Sequence, residues 1–168
     1  MTRSLSLFVA LGLSATLFSP PARADAVLAR FSGVWKGDGW AVRSEGEPRQ
    51  AIRCRVVMRY SEAVGKLAFF GRCGGGGGGN TASFSGDLVN SAGSTYRGDW
   101  TISGLGARDL LVGEASGPDM TFHIGGTGRS RYEGTMRWSL RDGGLTIDSA
   151  VARNGRRSRS AMKLTRTD

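Results

Sequence analysis

The stretch Ile52-Arg53-Cys54-Arg55-Val56-Val57-Met58-Arg59-Tyr60 decides the fold of this chain. Its even positions are apolar, whereas three of its odd positions carry arginine. A period of two is typical of a half-buried β-strand, because successive side chains point to opposite faces. In the next segment, Lys66 to Cys73, the apolar alternation falls on the odd positions instead. We therefore predict a β-hairpin with its turn at residues 62–65.

The same hairpin predicts a disulfide. Folding the two strands about their turn places 60 opposite 67, 58 opposite 69 and 56 opposite 71, so that apolar positions face each other. In this register Cys54 lies directly opposite Cys73, within bonding reach. An oxidising compartment favours joining such a pair. The chain has two cysteines and one histidine, too few ligands for a zinc site, so we predict neither a metal nor a cofactor.

The C-terminal region also predicts paired strands. Asp142-Gly143 and Asn154-Gly155 are strong two-residue hairpin turns. Taken as turns, they place Trp138 opposite Ile147 and Ile147 opposite Met162. An element with the pattern aromatic, any residue, glycine, any residue, apolar recurs at residues 31–35, 84–88, 96–100 and 132–136. We expect its glycines to relieve crowding beside large aromatic rings and to let the strands curve.

Composition agrees with one glycine-rich β domain. The chain has 168 residues, 27 glycines and a formal net charge of +9. Weaker strands are predicted at Leu110 to Ala115 and at Met120 to Ile124. We predict an all-β protein, with residues 25–168 forming one antiparallel up-and-down barrel of eight to ten strands, because closure removes exposed sheet edges. The alternative architecture is a two-sheet β-sandwich.

Residues 1–24 resemble a cleavable signal peptide. Arg3 precedes an apolar run from Leu5 to Phe18, and Ala22-Arg23-Ala24 is a typical cleavage signal. The run is too short to cross a bilayer core of about 30 Å. We therefore expect a periplasmic or secreted protein, cleaved at about Ala24 and not membrane-spanning. Nucleic acid is not an expected partner in that compartment, although the net charge is strongly positive.

The opening of the predicted domain resembles that of lipocalins and their calycin relatives. Residues 28–35 read Leu-Ala-Arg-Phe-Ser-Gly-Val-Trp, and in those families a Gly-x-Trp motif lies on the first strand. The resemblance implies a barrel in which a basic residue of the last strand packs over this tryptophan; Arg159, Lys163 and Arg166 are the candidates. The chain is also similar to small periplasmic bacterial proteins of unknown function, with an F-x-G-x-W-x-G opening and a two-cysteine hairpin.

Two sets of residues are candidate binding sites. The first could line an internal cavity for a small apolar ligand, or could be core: Trp35, Trp100, Trp138, Tyr96 and Tyr132. The second could bind an anionic envelope component, since guanidinium groups bind carboxylate and phosphate, or could be a solvated surface. It comprises Arg53, Arg55 and Arg59 on one strand face, beside Arg72, and Arg153, Arg156, Arg157 and Arg159 around the second hairpin turn. We expect this second group in turns or on the outer face.

No residue pattern indicates catalysis. His123 is the single histidine and is expected to point outward from its strand. The glycine run Gly74 to Gly79 lacks the lysine and the helix of a phosphate-binding loop and is expected to form a mobile loop. We therefore predict a non-enzymatic binding protein. The alternative is a protein inhibitor of an exported hydrolase of the protease or lysozyme type, in which case the partner is a protein.

Overall fold

The structure is a computed structural model that describes residues 25–75, 81–103, 108–126 and 132–168. The predicted signal peptide at residues 1–24 lies outside the described residues, and so does most of the glycine run, at residues 76–79. The predictions made for residues 1–24 and 76–79 therefore stay predictions. Gly74 and Gly75, also expected in the loop, lie instead in a strand, because the hairpin register continues beyond the disulfide and pairs them with Arg53 and Ile52.

The described chain consists of one short helix followed by ten β-strands. They are α1 (Ala26–Arg30), β1 (Gly33–Val42), β2 (Gln50–Ser61), β3 (Lys66–Gly75), β4 (Ala82–Ala92), β5 (Thr95–Ile102), β6 (Arg108–Ser116), β7 (Asp119–Gly126), β8 (Tyr132–Arg141), β9 (Gly144–Arg153) and β10 (Arg156–Arg166). None of the helices in the described ranges is long and apolar enough to cross a membrane.

The ten strands form a closed antiparallel barrel. Each strand pairs with the next one along the chain, and β1 pairs with β10 to complete the ring. The predicted up-and-down barrel is confirmed, with a strand number at the upper end of the expected range. The two-sheet sandwich is excluded, because a single sheet closes on itself.

The predicted hairpin registers are present in the barrel. Tyr60 pairs with Leu67, and Cys54 pairs with Cys73 at a Cα–Cα distance of 4.1 Å. The two cysteines form a disulfide, so that prediction is confirmed. At the C-terminal end, Trp138 pairs with Ile147 and Ile147 with Met162. Both turns have two successive residues with positive φ, which is the backbone that Asp-Gly and Asn-Gly turns favour.

Helix α1 covers one end of the barrel, which we call the helix end. Asp25 caps this helix by accepting hydrogen bonds from the backbone N–H groups of Val27 and Leu28. Leu28 and Phe31 are fully buried in the core. The opposite end, which we call the loop end, carries the β1–β2 connection at residues 43–49 and the Asn154-Gly155 turn. The candidate ligand-binding residues therefore fall into two groups, those at the helix end and those at the loop end.

Core aromatics pack tightly at the helix end. The ring of Trp138 lies 5.6 Å from that of Phe31, 5.4 Å from that of Phe69 and 5.0 Å from that of Phe122, measured between centroids. Tilted and edge-on contacts at such distances are favourable for aromatic pairs. This half of the barrel is therefore filled by side chains.

The inward glycines serve two different purposes. At Gly71 and Gly113 an added Cβ would overlap the rings of Phe84 and Phe122, as the crowding argument expects. At Gly98, a glycine of the recurring aromatic element, the added atom would instead overlap the backbone carbonyl of Asp87 on the neighbouring strand. The recurring glycines thus also permit close approach of adjacent strands, which the sequence pattern did not predict.

Candidate functional site

Four of the five aromatic candidates are core residues of the barrel, namely Trp35, Tyr96, Trp100 and Trp138. Trp35, Tyr96 and Trp138 are each at most 2% exposed. The indole N–H of Trp35 donates to the backbone carbonyl of Phe31 at 2.9 Å. The Tyr96 hydroxyl lies 3.4 Å from a carboxylate oxygen of Asp25, and burial raises the pKa of this phenol. These side chains fill space and hold α1 in place.

Trp100 lies toward the loop end and faces a buried acid. It pairs across the strands with Asp109, and the two residues are 8% and 2% exposed. Neither Trp100 Nε1 nor Asp109 Oδ1 has a hydrogen-bond partner among the described residues. Burial raises the pKa of Asp109, while the positive charge of Arg153 acts in the opposite direction. The interior of the loop end is thus more polar than that of the helix end.

Arg153 does not lie where the sequence analysis placed it. It was expected in a turn or on the outer face, but it is half-buried and its Nε is buried. The physical reason is strand parity: Arg153 has the same parity on β9 as the inward Val151. Tyr132 is its register partner on β8, but the side chain of Tyr132 lies outside the described residues.

Sequence reasoning missed Asp109. It began the strand at Leu110, whereas β6 begins at Arg108. The signal was available, because the inward parity of Leu111 extends back to position 109. An acid at an inward position, facing a tryptophan, is the kind of buried polar group that a parity argument can find.

Two of the arginine candidates line a pocket on the outer face of the barrel. Arg159 lies opposite Val42, and Arg157 lies two residues before Arg159 on β10. The pocket has a volume of about 210 Å³. Its lining, which defines what we call the Trp40 pocket, consists of Trp40, Val42, Glu45, Gly46, Arg49, Arg157 and Arg159.

The Trp40 pocket has an excess of positive charge. The guanidinium carbon of Arg49 lies 4.2 Å from the centroid of the Trp40 ring, in a cation–π contact. Neither Arg157 nor Arg159 forms an ion pair with any residue that the structure describes. Glu45 is the one carboxylate in the lining, against three guanidinium groups. Sequence analysis identified Arg157 and Arg159 but missed Trp40 and Arg49, which reach the site from β1 and from the loop that follows it.

A larger groove continues from the Trp40 pocket along β1, β10 and β9. Its volume is about 500 Å³, and Trp40 lines both cavities. The charged residues along it are mixed in sign, Lys36 and Lys163 against Asp38 and Asp148. Because its charges are balanced, the groove selects no ligand charge by itself.

The remaining arginine candidates are spread over the surface. Arg53 forms an exposed ion pair with Asp38 at 3.0 Å. Arg55 and Arg59 are exposed on the outer face of β2, and Arg156 is exposed beside the Asn154-Gly155 turn. His123 is exposed on β7, as the parity of that strand predicts.

The basic residue over the first-strand tryptophan is Arg166. Its guanidinium carbon lies 4.7 Å from the centroid of the Trp35 ring, and it donates to the backbone carbonyl of Arg30 at 3.0 Å. Trp35 and Arg166 are register partners across the seam between β1 and β10. Of the three candidates, the structure therefore selects Arg166, and the arrangement is the one that the lipocalin resemblance implies.

Comparison with known proteins gives similarity in fold but not in sequence. No protein family matches the sequence, and no curated protein matches it at a significant level. The structure is similar to the crystal structure of Rv2717c from M. tuberculosis, with 16% identity and a TM-score of 0.65, over 89% of this chain and 99% of that chain. It is also similar to the S-type phycobiliprotein lyase CPES from Guillardia theta, with 10% identity and a TM-score of 0.58, over 84% of this chain and 90% of that chain.

The fold that this chain shares with these two structures is a closed antiparallel β-barrel. At these identities the likeness concerns architecture alone, since one fold hosts many unrelated functions. A function for this chain must therefore be argued from its own side chains.

Proposed function

We propose that this chain is an exported, non-enzymatic binding protein whose Trp40 pocket takes a small anion with a flat apolar part. The observation that carries this proposal is the set of three guanidinium groups around one half-buried tryptophan, with a single carboxylate among them. Arg53, by contrast, has its charge balanced by Asp38. An unbalanced set around an aromatic ring favours an anionic ligand from outside the chain.

The chemistry of the pocket fits such a ligand. Arg157 and Arg159 lie two residues apart on one strand face, which separates their Cα atoms by about 6.7 Å. Guanidinium groups at that spacing can both donate to one phosphate or carboxylate, and charge-assisted hydrogen bonds are the stronger kind. The indole of Trp40 supplies an apolar surface beside them. A volume of about 210 Å³ is below that of pockets for drug-sized molecules, which favours a ligand of about one ring.

Export is supported by the Cys54–Cys73 bond, because structural disulfides persist in oxidising compartments. Together with the expected signal peptide, this favours a periplasmic or secreted location. A non-enzymatic role is supported by the lining of the Trp40 pocket, which offers Glu45 but no second acid or base to work with it. The lyase named among the structural neighbours is 10% identical to this chain and bears on the fold alone.

A second candidate function is the binding of a small ligand inside the loop end of the barrel. Trp100 Nε1 and Asp109 Oδ1 favour it, because both are buried and neither is bonded to a described residue. A ligand there would carry groups that satisfy a donor and an acid, which makes it more polar than the apolar ligand expected from the sequence. The hydrolase-inhibitor hypothesis stays a prediction.

The test uses phenyl phosphate, a one-ring anion, as the probe, in calorimetric titrations at low ionic strength. We expect the wild-type protein to bind it and the affinity to fall as salt is added, because exposed charges are screened. Arg159→Gln should weaken binding at least tenfold, since hydrogen bonds to charged groups contribute about 1.5–3 kcal/mol. Trp40→Ala should weaken it as well.

The matched control is Arg97→Gln, which removes one positive charge from an exposed position of β5. It should bind the probe as the wild type does. If Arg97→Gln and Arg159→Gln weaken binding equally, net charge rather than the pocket explains the result. If Trp40→Ala has no effect, the pocket is not the site. Native mass spectrometry of protein purified from the periplasm separates the second candidate: a bound ligand retained by Trp40→Ala must lie elsewhere.

A further inference from the structure

Three positively charged side chains form a row across the outer face of β1, β2 and β3. Lys36 is the register partner of Arg55, and Arg55 is the register partner of Arg72. All three are exposed, and none forms an ion pair with a residue in the described part of the chain. We call these three residues the basic row.

The basic row is unfavourable for the isolated protein. Like charges directly opposite each other on neighbouring strands repel and destabilise the sheet. The adjacent row toward the loop end shows the usual solution, because there Arg53 faces Asp38 and pairs with it at 3.0 Å. Three exposed cations in register without an acid therefore favour a source of negative charge outside the chain.

An apolar row lies beside the basic row, toward the helix end. Val34 pairs with Val57, and Val57 pairs with Phe70. The two valines are half-buried, but Phe70 is 50% exposed on the outer face of β3. Beyond this apolar row, Arg59 supplies a further exposed cation. The Phe70 ring is thus exposed to solvent, with positive charges on both sides of it.

We propose that this outer face of β1–β3 docks the protein on an anionic phospholipid surface. Adjacent strands are about 4.8 Å apart, so the basic row extends about 10 Å and can contact several lipid phosphates at once. Basic residues near a membrane surface are attracted to its negative potential, and an aromatic ring beside them can enter the headgroup region. The proposal goes beyond the binding function of the Trp40 pocket, whose arginines lie on β10 and on the β1–β2 loop.

Phe70 decides in favour of a membrane over a soluble polyanion. A sulfated polysaccharide such as heparin is bound mainly through charge, whereas a bilayer can also bury an exposed apolar ring. A bilayer offers phosphate and an apolar layer a few ångströms apart, which matches a basic row next to an apolar row. The face is formed by the outer side of three strands; Lys36 at its edge also lines the groove along β1, β10 and β9, whereas Arg55, Val57, Phe70 and Arg72 line neither outer cavity.

The test is co-sedimentation of the protein with vesicles of phosphatidylcholine containing 30 mol% phosphatidylglycerol, a composition that we choose as about one-third anionic lipid. We expect the wild type to bind these vesicles and not vesicles of phosphatidylcholine alone. Arg55→Gln combined with Arg72→Gln should lower the partition coefficient about 30-fold, the effect of two surface charges. The matched control is Arg97→Gln combined with Arg156→Gln, which removes the same charge from exposed positions away from this face and should lower partition less than about fivefold.

Phe70→Ser separates membrane docking from simple charge attraction. It should weaken vesicle binding while leaving binding to heparin, a soluble polyanion, unchanged. The membrane proposal is overturned if Phe70→Ser binds vesicles as the wild type does, or if the control pair loses as much binding as the Arg55 and Arg72 pair. It is also overturned if sedimentation shows a dimer that Phe70→Ser dissociates, because a second copy would then cover the face. Far-UV circular dichroism checks that each variant is folded. Because the vesicle assay does not depend on the Trp40 pocket, the membrane proposal and the pocket proposal can fail independently of each other.

Discussion

Asp109 is a single side chain whose environment makes a prediction about stability. It is 2% exposed, faces Trp100, and has a pKa that burial raises against the opposing charge of Arg153. Asp109→Asn removes a charge that is costly to bury and should stabilise the barrel by about 1 kcal/mol at neutral pH. The exposed Asp148→Asn on β9 is the control and should change stability by less than about 0.5 kcal/mol.

The sign of the pH dependence follows from the raised pKa of Asp109. Because the folded state favours the protonated carboxyl group, Asp109 contributes most to the free energy of unfolding at low pH. That contribution is lost as the pH rises through the folded-state pKa. The advantage of Asp109→Asn should therefore be larger at pH 7.5 than near pH 4, as measured by urea unfolding at both. A variant less stable than the wild type at pH 7.5 would show that Arg153 stabilises the ionised carboxylate after all.

At the scale of a single hairpin, the β4–β5 pair depends on Gly98. An added Cβ there would overlap the backbone carbonyl of Asp87, whereas at Gly125 on β7 it would have no atom of a described residue within 4 Å. Gly98→Ala should therefore destabilise the protein by about 1–3 kcal/mol, since the strands must move apart. Gly125→Ala should have a small or slightly stabilising effect, because alanine restricts the unfolded chain. Urea midpoints of the two variants test this, and equal midpoints would contradict the close-approach interpretation.

At the scale of the whole molecule, the Cys54–Cys73 bond stabilises the closed barrel. The two cysteines are 19 residues apart in sequence, and closing a loop of that size contributes about 3 kcal/mol by restricting the unfolded chain. Replacing both by alanine avoids burying a new hydroxyl at the buried position 54. We expect a loss of about that size in a single cooperative transition, because a closed barrel has no free edge strand. A loss below about 0.5 kcal/mol would mean that the bond contributes little to folding stability.

Local features of the sequence determined the strands, three hairpin registers and the disulfide. Period-two alternation sets which face of a strand is inward, and turn residues such as Asp142-Gly143 and Asn154-Gly155 set the register of the strands that they join. Both effects act over neighbouring residues and can be read along the chain. The same reasoning placed Arg55, Arg72 and His123 on the outer face, and the structure agrees.

Only the tertiary structure decided which residues pair across the seam between β1 and β10, where the barrel closes. Trp35 pairs with Arg166, and Val42 with Arg159, although more than a hundred residues separate the partners in sequence. No turn joins β1 to β10, so their register depends on strand number and stagger around the whole barrel, which no local pattern encodes. The Trp40 pocket lies across this seam, which is why sequence analysis found Arg157 and Arg159 as a cluster but not Trp40 or Arg49.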